Sequence, residues 1–285
     1  MQGFCAKHSG MLAQQGICYP PWHPHFHHHY ALFEHLQAAK DSKAIAWLSA
    51  QSQIATRSGA HTLFISQEQL NVCFSQSRQP VFSATTRFLS WARETFDDVE
   101  LVCITREFRG YYRSYIKQML NNTGSYRWDQ QCGYARYLLN ILRRLEEEGS
   151  MFFSLDEMRA QGPYPAVLLE ELLGISIPRK YRKELRLNTS QDPLITSALV
   201  GTLISIDAAI QQSHPNSAQS TTLRESLSKD VALILASPGG AALTAELEAF
   251  FSERLEQFIS GTTACLDSAD LDALHRLMPG TQAPC

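Results

Sequence analysis

Three short apolar runs decide what this chain can fold into. "AHTLFIS" (60–66), "VELVCIT" (99–105) and "SMFFSL" (150–155) each have the length and apolar content of a buried strand, and the stretches between them carry apolar residues at helical spacing. "PVFSATTRFLSWARETF" (80–96) shows the habit best, with Pro80 at its start and apolar residues at 81, 82, 88, 89, 91 and 96. Residues 30–58 read as helical, with Gly59 as a stop, and further helices are expected at about 111–122 and 128–147. Parallel strands need a crossover between them, so strands alternating with helices predict an α/β fold with a parallel sheet flanked by helices. From 191 onward the pattern is helical, with breaks at "SHPNS" and "SPGG". The expected organisation is an α/β core over 1–190 and a helical C-terminal section over 191–285 packed on it.

Composition narrows the function classes. A net charge of -3 and a pI near 6.4 leave no general electrostatic footprint for nucleic acid, so any charge-based function is local. No run reaches the eighteen uninterrupted apolar residues of a spanning helix: "ALVGTLISIDAAI" is interrupted by Asp207, and "VALILASPGGAAL" by Pro and Gly. The seven cysteines include no C-x-x-C pair, and several lie in apolar runs as small hydrophobes, which argues for a reducing cytoplasm.

The segment that carries chemistry is "VELVCITREFRGYYRSYIKQML". A strand ends at Thr105, Arg106 follows at its carboxyl edge, and Ser114 lies eight positions later in the first turn of the next expected helix. Ligands of open α/β sheets bind at the carboxyl ends of strands, and a helix start there favours an anion. Arg106 can hold a phosphate with two parallel N–H bonds and the Ser114 hydroxyl can add a donor. The competing reading is a surface Arg in an ion pair and a Ser facing solvent.

Arg at a strand end followed eight residues later by Ser resembles the 3'-phosphate signature of sulfotransferases that use 3'-phosphoadenosine 5'-phosphosulfate. "QGICYP" before a His-containing loop, "LFISQEQL", "FFSLDEM" leading into "LLGI", and "RLNTS" resemble stretches of bacterial members of that family, in the same order, over roughly residues 1–200. The resemblance implies a P-loop-like sheet, Arg106 and Ser114 on the 3'-phosphate, and transfer of a sulfuryl group from that co-substrate to a hydroxyl, with a carbohydrate as the expected acceptor, without a metal. It also implies a first strand and a K-[TS]-G-[TS]-[TS] loop for the 5'-phosphosulfate. Met1 and Gln2 match the apolar-Gln pair that follows this loop, so strand and loop are expected directly upstream of Met1, and the chain reads as N-terminally truncated. The alternative is a non-catalytic relative that binds a nucleotide or glycan.

"AKHSGM" (6–11) has the residue types of such a loop, but it sits within the opening helical pattern, where helix bonding occupies its amides. "HPHFHHH" (23–29) could suggest a metal site, yet no Cys, Asp or Glu stands at ligand spacing. The resemblance places a His here near the acceptor, making His28 or His29 a candidate general base; the competing reading is a solvated loop His. Glu68, after the strand at 60–66, either assists as base or stabilises a helix start. "RRLEEE" (143–148) reads as a solvated helix end, and "RKYRKELR" (179–186) as a soluble or partner-facing surface that in the resembling enzymes can approach the nucleotide.

Overall fold

The structure, a computed structural model, describes residues 2–20, 29–67, 69–112, 114–115, 131–182, 246, 249, 253, 256–257 and 259–279. The chain divides into two compact units, residues 1–105 with 137–187, and 106–136 with 188–285.

The first unit is α/β and rich in helix. Its opening helical pattern is two short helices, α1 (Gln2–Lys7) and α2 (Ser9–Ala13), separated at His8. "AKHSGM" straddles that break, and the amides of Met11 and Leu12 donate to the His8 carbonyl. Next comes β1 (Ile17–Cys18), then α3 (Tyr30–Gln37) and α4 (Asp41–Arg57). The stretch expected to be helical over 30–58 is thus two helices. Ala39 takes a left-handed φ of 55°, and the amides of Ala39 and Lys40 turn back to the carbonyls of Leu36 and His35. Alanine rarely adopts that conformation, so the periodicity gave no sign of a stop.

Strand β2 (Thr62–Leu63) leads to a 3-10 turn at Leu70–Phe74 and to α5 (Gln79–Thr95), which has Pro80 in its first turn. After β3 (Val102–Thr105) come α6 (Gln131–Glu147) and β4 (Met151–Ser154), then α7 (Leu155–Gln161) and α8 (Tyr164–Leu173). The expected strands are all present but shorter than their apolar runs, and β1 is an addition. The Ser154 side chain caps α7 by accepting from the Glu157 amide at 3.3 Å.

The strands form two parallel pairs, β1 with β2 and β3 with β4, the latter in register from Val102 opposite Met151 to Thr105 opposite Ser154. Leu63 and Ile65 from the first pair and Leu101, Cys103 and Phe152 from the second lean on one core, built from Leu32, Phe33, Leu36, Leu48, Phe74, Phe88, Leu89 and Ile141. The other face of the first pair, with Ile17, Tyr19 and Phe64, packs with Phe4, Leu12, Ala166 and Leu169. Of the second pair, Val102, Ile104 and Met151 are 38%, 36% and 37% exposed.

"RRLEEE" is less solvated than its charge suggests. Arg144 lies 4.6 Å over the Phe82 ring and pairs with Glu147 and Glu148, while Arg93 of α5 reaches Glu148 at 2.8 Å. Charges spaced along a helix end thus tie α6 to α5.

Gly16 makes the turn into β1 at a φ of +75°, and a Cβ there would run into the His61 ring. Gly16→Ala is expected to lower stability by about 1–3 kcal/mol, from a backbone conformation unsuited to alanine and from the collision. Urea unfolding should show this as a lower midpoint with the same slope.

In the second unit, residues 108–112 and 114–115 are helical and α10 spans Ser268–Leu277, started by the Asp267 side chain accepting from the Asp270 amide at 2.8 Å. Most of the C-terminal third expected to be helical lies outside the described residues. Among the described cysteines, Cys5, Cys18, Cys73 and Cys103 are free thiols. Burial pushes Cys5 up to about 12 and Cys73 and Cys103 up to about 11, so these thiols are inert hydrophobes, as their apolar runs suggested. No helix among the described residues is long and apolar enough to cross a membrane.

Candidate functional site

The segment Arg106–Tyr115 belongs to the second unit and is held there by its aromatic residues. Tyr112 is fully buried, its ring stacks on Phe108 at 5.5 Å, and its hydroxyl receives the Thr262 hydroxyl at 3.5 Å. Tyr111 and Tyr115 stand on either side of this anchor. The Tyr115 ring stacks on Tyr134 at 4.2 Å, and the Tyr111 and Tyr134 hydroxyls are hydrogen-bonded at 2.7 Å. Apolar and aromatic burial thus fixes the helix that follows β3, and with it the direction in which its first turn faces.

Two features of that first turn were not anticipated. Gly110 is approached by the Arg106 side chain: a Cβ there would stand 3.1 Å from Nε and 3.6 Å from Cζ. The guanidinium therefore lies along the helix start, over a position without a side chain. Gly110 and Ser114 are four residues apart and share one helix face, so the surface that Arg106 overlies continues toward Ser114, which is exposed. The second feature is Glu107. Its carboxylate accepts from the Arg109 amide at 2.7 Å and the Gly110 amide at 2.8 Å. The positive end of the helix, expected to be available to a ligand anion, is taken by an anion of the chain itself. An anion at this helix start would find the Arg109 and Gly110 amides already taken by the Glu107 carboxylate.

His29 has a different task in the first unit. It is 2% exposed, and both ring nitrogens meet main-chain groups. Nδ1 accepts from the Ser66 amide at 3.0 Å, which leaves Nε2 as the protonated nitrogen, donating to the Pro20 carbonyl at 3.2 Å. The His29 amide in turn donates to the Ser66 carbonyl at 3.3 Å. Tyr19 completes the cluster, with its ring 4.6 Å from the imidazole and its hydroxyl 2.9 Å from Ser66 Oγ. Burial pushes the Tyr19 phenol up to about 12, so it stays neutral. A ring spent in this way joins the end of β1 to the end of β2. It has no nitrogen left to take a proton from an acceptor, so the expectation of His29 as general base gives way to a structural one.

His28 and the rest of the loop 21–28, together with Glu68, lie outside the described residues. The structure brings Arg106 and Ser114 into one unit and places His29 in the other.

The chain matches no protein-family model, no curated protein and no solved structure.

The remaining charged candidates have internal partners. Arg182, in the short helix α9 (Arg179–Arg182), makes two bonds to the Glu170 carboxylate, one of them 2.7 Å long, and Lys180 lies over the Tyr181 ring. The described part of the basic cluster is thus partly consumed in packing against the end of α8. Among the described residues no group of three His, Cys, Asp or Glu could hold a metal ion. Sequence reasoning missed Gly110 and Glu107. A signal for both was present in "REFRG": an acidic side chain at a helix start is favoured by the first-turn amides, and a Gly there admits close approach by a neighbour.

Proposed function

We propose that this chain is a sulfotransferase-like protein with a P-loop-like α/β core, in which Arg106 and Ser114 hold the 3'-phosphate of 3'-phosphoadenosine 5'-phosphosulfate. The observation that carries the reading is the position of the Arg106 guanidinium over Gly110, on the helix face that continues to Ser114, directly after β3 in the chain. Parallel strand pairs joined through helices support the fold part of the proposal. The reaction is transfer of a sulfuryl group to a hydroxyl, with a carbohydrate as the acceptor class. The S–O bond to the nucleotide breaks, a bond to the acceptor oxygen forms, and the acceptor proton passes to a base. Since His29 is committed to the main chain, that base is His28 or Glu68. Catalysis rests on alignment of donor and acceptor and on stabilising charge on the leaving oxygen.

The test is calorimetric titration of adenosine 3',5'-bisphosphate into the chain and into Arg106→Ala. Loss of a charge-assisted phosphate contact costs about 1.5–3 kcal/mol, or roughly ten- to 150-fold in Kd. Equal affinity for the two proteins, or no binding by the parent chain, would overturn the assignment.

Glu107 favours a second reading. A carboxylate on the amides of the first turn opposes a phosphate at the same place, as expected of a non-catalytic relative that binds a nucleotide weakly or a glycan instead. Donor binding with turnover supports the enzyme, and binding without turnover supports the relative.

A further inference from the structure

We propose that His29 is a pH-sensitive latch: its neutral ring fastens the chain leaving β1 to the chain leaving β2, and its protonation in mild acid releases that fastening. The inference rests on the hydrogen-bond geometry of the ring and does not depend on the sulfotransferase reading.

The ring fits its site in one protonation state. Nδ1 lies 3.0 Å from the Ser66 nitrogen, which carries a proton, and Nε2 lies 3.2 Å from the Pro20 oxygen, which carries none. A neutral imidazole protonated at Nε2 satisfies both groups, accepting from one and donating to the other. The imidazolium donates at both nitrogens, so its Nδ1–H would confront the Ser66 N–H. His29 is also buried, which disfavours a charge. Both effects keep the ring neutral below about pH 6.5, where an exposed histidine gains its proton.

The elements packed on the ring face it with uncharged groups. Tyr19, at the end of β1, lies 4.6 Å from it, and Trp47 of α4 lies 6.0 Å away. The Tyr19 phenol and the Cys5 thiol that acts on it from α1 are each pushed up to about 12 by burial, so both stay neutral while an imidazole titrates. The charged residues of α3 and α4 closest in sequence to His29 and Trp47 are Glu34 and Lys43, and both are exposed.

The position of the latch gives its release a consequence. The His29 amide donates to the Ser66 carbonyl at 3.3 Å, and the Tyr19 hydroxyl is 2.9 Å from Ser66 Oγ, so the bond to Nδ1 completes a set of three around Ser66. Protonation removes the acceptor of a buried amide, and opening the set is the way to return that amide to water. Ser66 follows β2, and Tyr19 follows β1, so acid loosens the carboxyl end of this parallel pair, the end at which ligands of α/β sheets bind. The sign follows from proton binding. The unfolded chain takes up a proton near pH 6.5 that the latched chain refuses, so the full stability is present above that pH and is lost below it, by up to about tenfold in the folding constant per pH unit.

NMR of the full chain between about pH 8 and pH 5 tests this across the range in which histidine titrates. The ring resonances of His29 are assigned by their loss in His29→Asn, whose side chain can accept from Ser66 and donate to Pro20 without titrating. The His29 ring should be the Nε2–H tautomer at the upper end and should titrate below pH 6.5. As it does so, the protection factor of the Ser66 amide should fall at least tenfold, while in His29→Asn it should stay constant over the same range. Titration at or above pH 6.5, Ser66 protection that does not change as His29 titrates, or the same loss of protection in His29→Asn would overturn the proposal. If His29→Asn does not fold, the ring is assigned through its bonds to Ser66 and Pro20 in the parent chain, and the first two outcomes decide.

Discussion

Replacing His29 with alanine is expected to cost about 2–5 kcal/mol of stability, because it strands a buried amide and a buried carbonyl at once, each worth about 1–3 kcal/mol when unmet. The two groups are the Ser66 N–H and the Pro20 C=O, and the ring that serves them also fills space against Tyr19 and Trp47. Urea unfolding followed by tryptophan fluorescence reads the loss directly. His29→Asn keeps an acceptor near the position of Nδ1 and should recover part of the deficit, which a general loss of packing would not predict. A change below about 0.5 kcal/mol in His29→Ala, the range of ordinary surface substitutions, would show that the imidazole is not the link between β1 and β2 described above.

On the proposed sulfotransferase reading, the largest effect on activity is expected at His28 or Glu68. General-base removal costs about a hundredfold or more in rate, so at least one of His28→Ala and Glu68→Ala should lose that much in kcat with folding intact. The assay is sulfuryl transfer from 3'-phosphoadenosine 5'-phosphosulfate to a panel of hydroxyl acceptors. His29→Ala should instead lose stability, and at a temperature where it stays folded its kcat should change far less. Near-normal rates in both His28→Ala and Glu68→Ala would remove the base from this part of the chain.

The distinction among these residues shows how far local pattern reaches. The three expected strands and the helix after Pro80 were legible because their residues leave a pattern in the sequence: apolar runs for strands packed on a core, and a 3.6-residue rhythm for helices packed on it. Arg106 at the end of β3 was legible for the same reason, since a strand ending announces its own carboxyl edge. What the sequence alone determined is thus the order of strands and helices, and the arrival of one arginine and one serine around a helix start.

Tertiary structure decided the rest, through contacts between residues far apart in the chain or through conformations that residue type does not announce. Strand β1 is only two residues long, and its identity depends on β2, which pairs with it more than forty residues later. Ala39 stops a helix in a conformation that alanine seldom takes. His28 and His29 are neighbours of one type, and only the bond from the Ser66 amide, 37 residues away, commits His29 to structure. Glu107 and Arg106 both follow β3; folding sets the carboxylate on the helix amides and the guanidinium along Gly110. Periodicity records which side of an element avoids water, while hydrogen-bond partners are chosen only when distant segments meet. The role of each polar side chain is therefore settled by the fold.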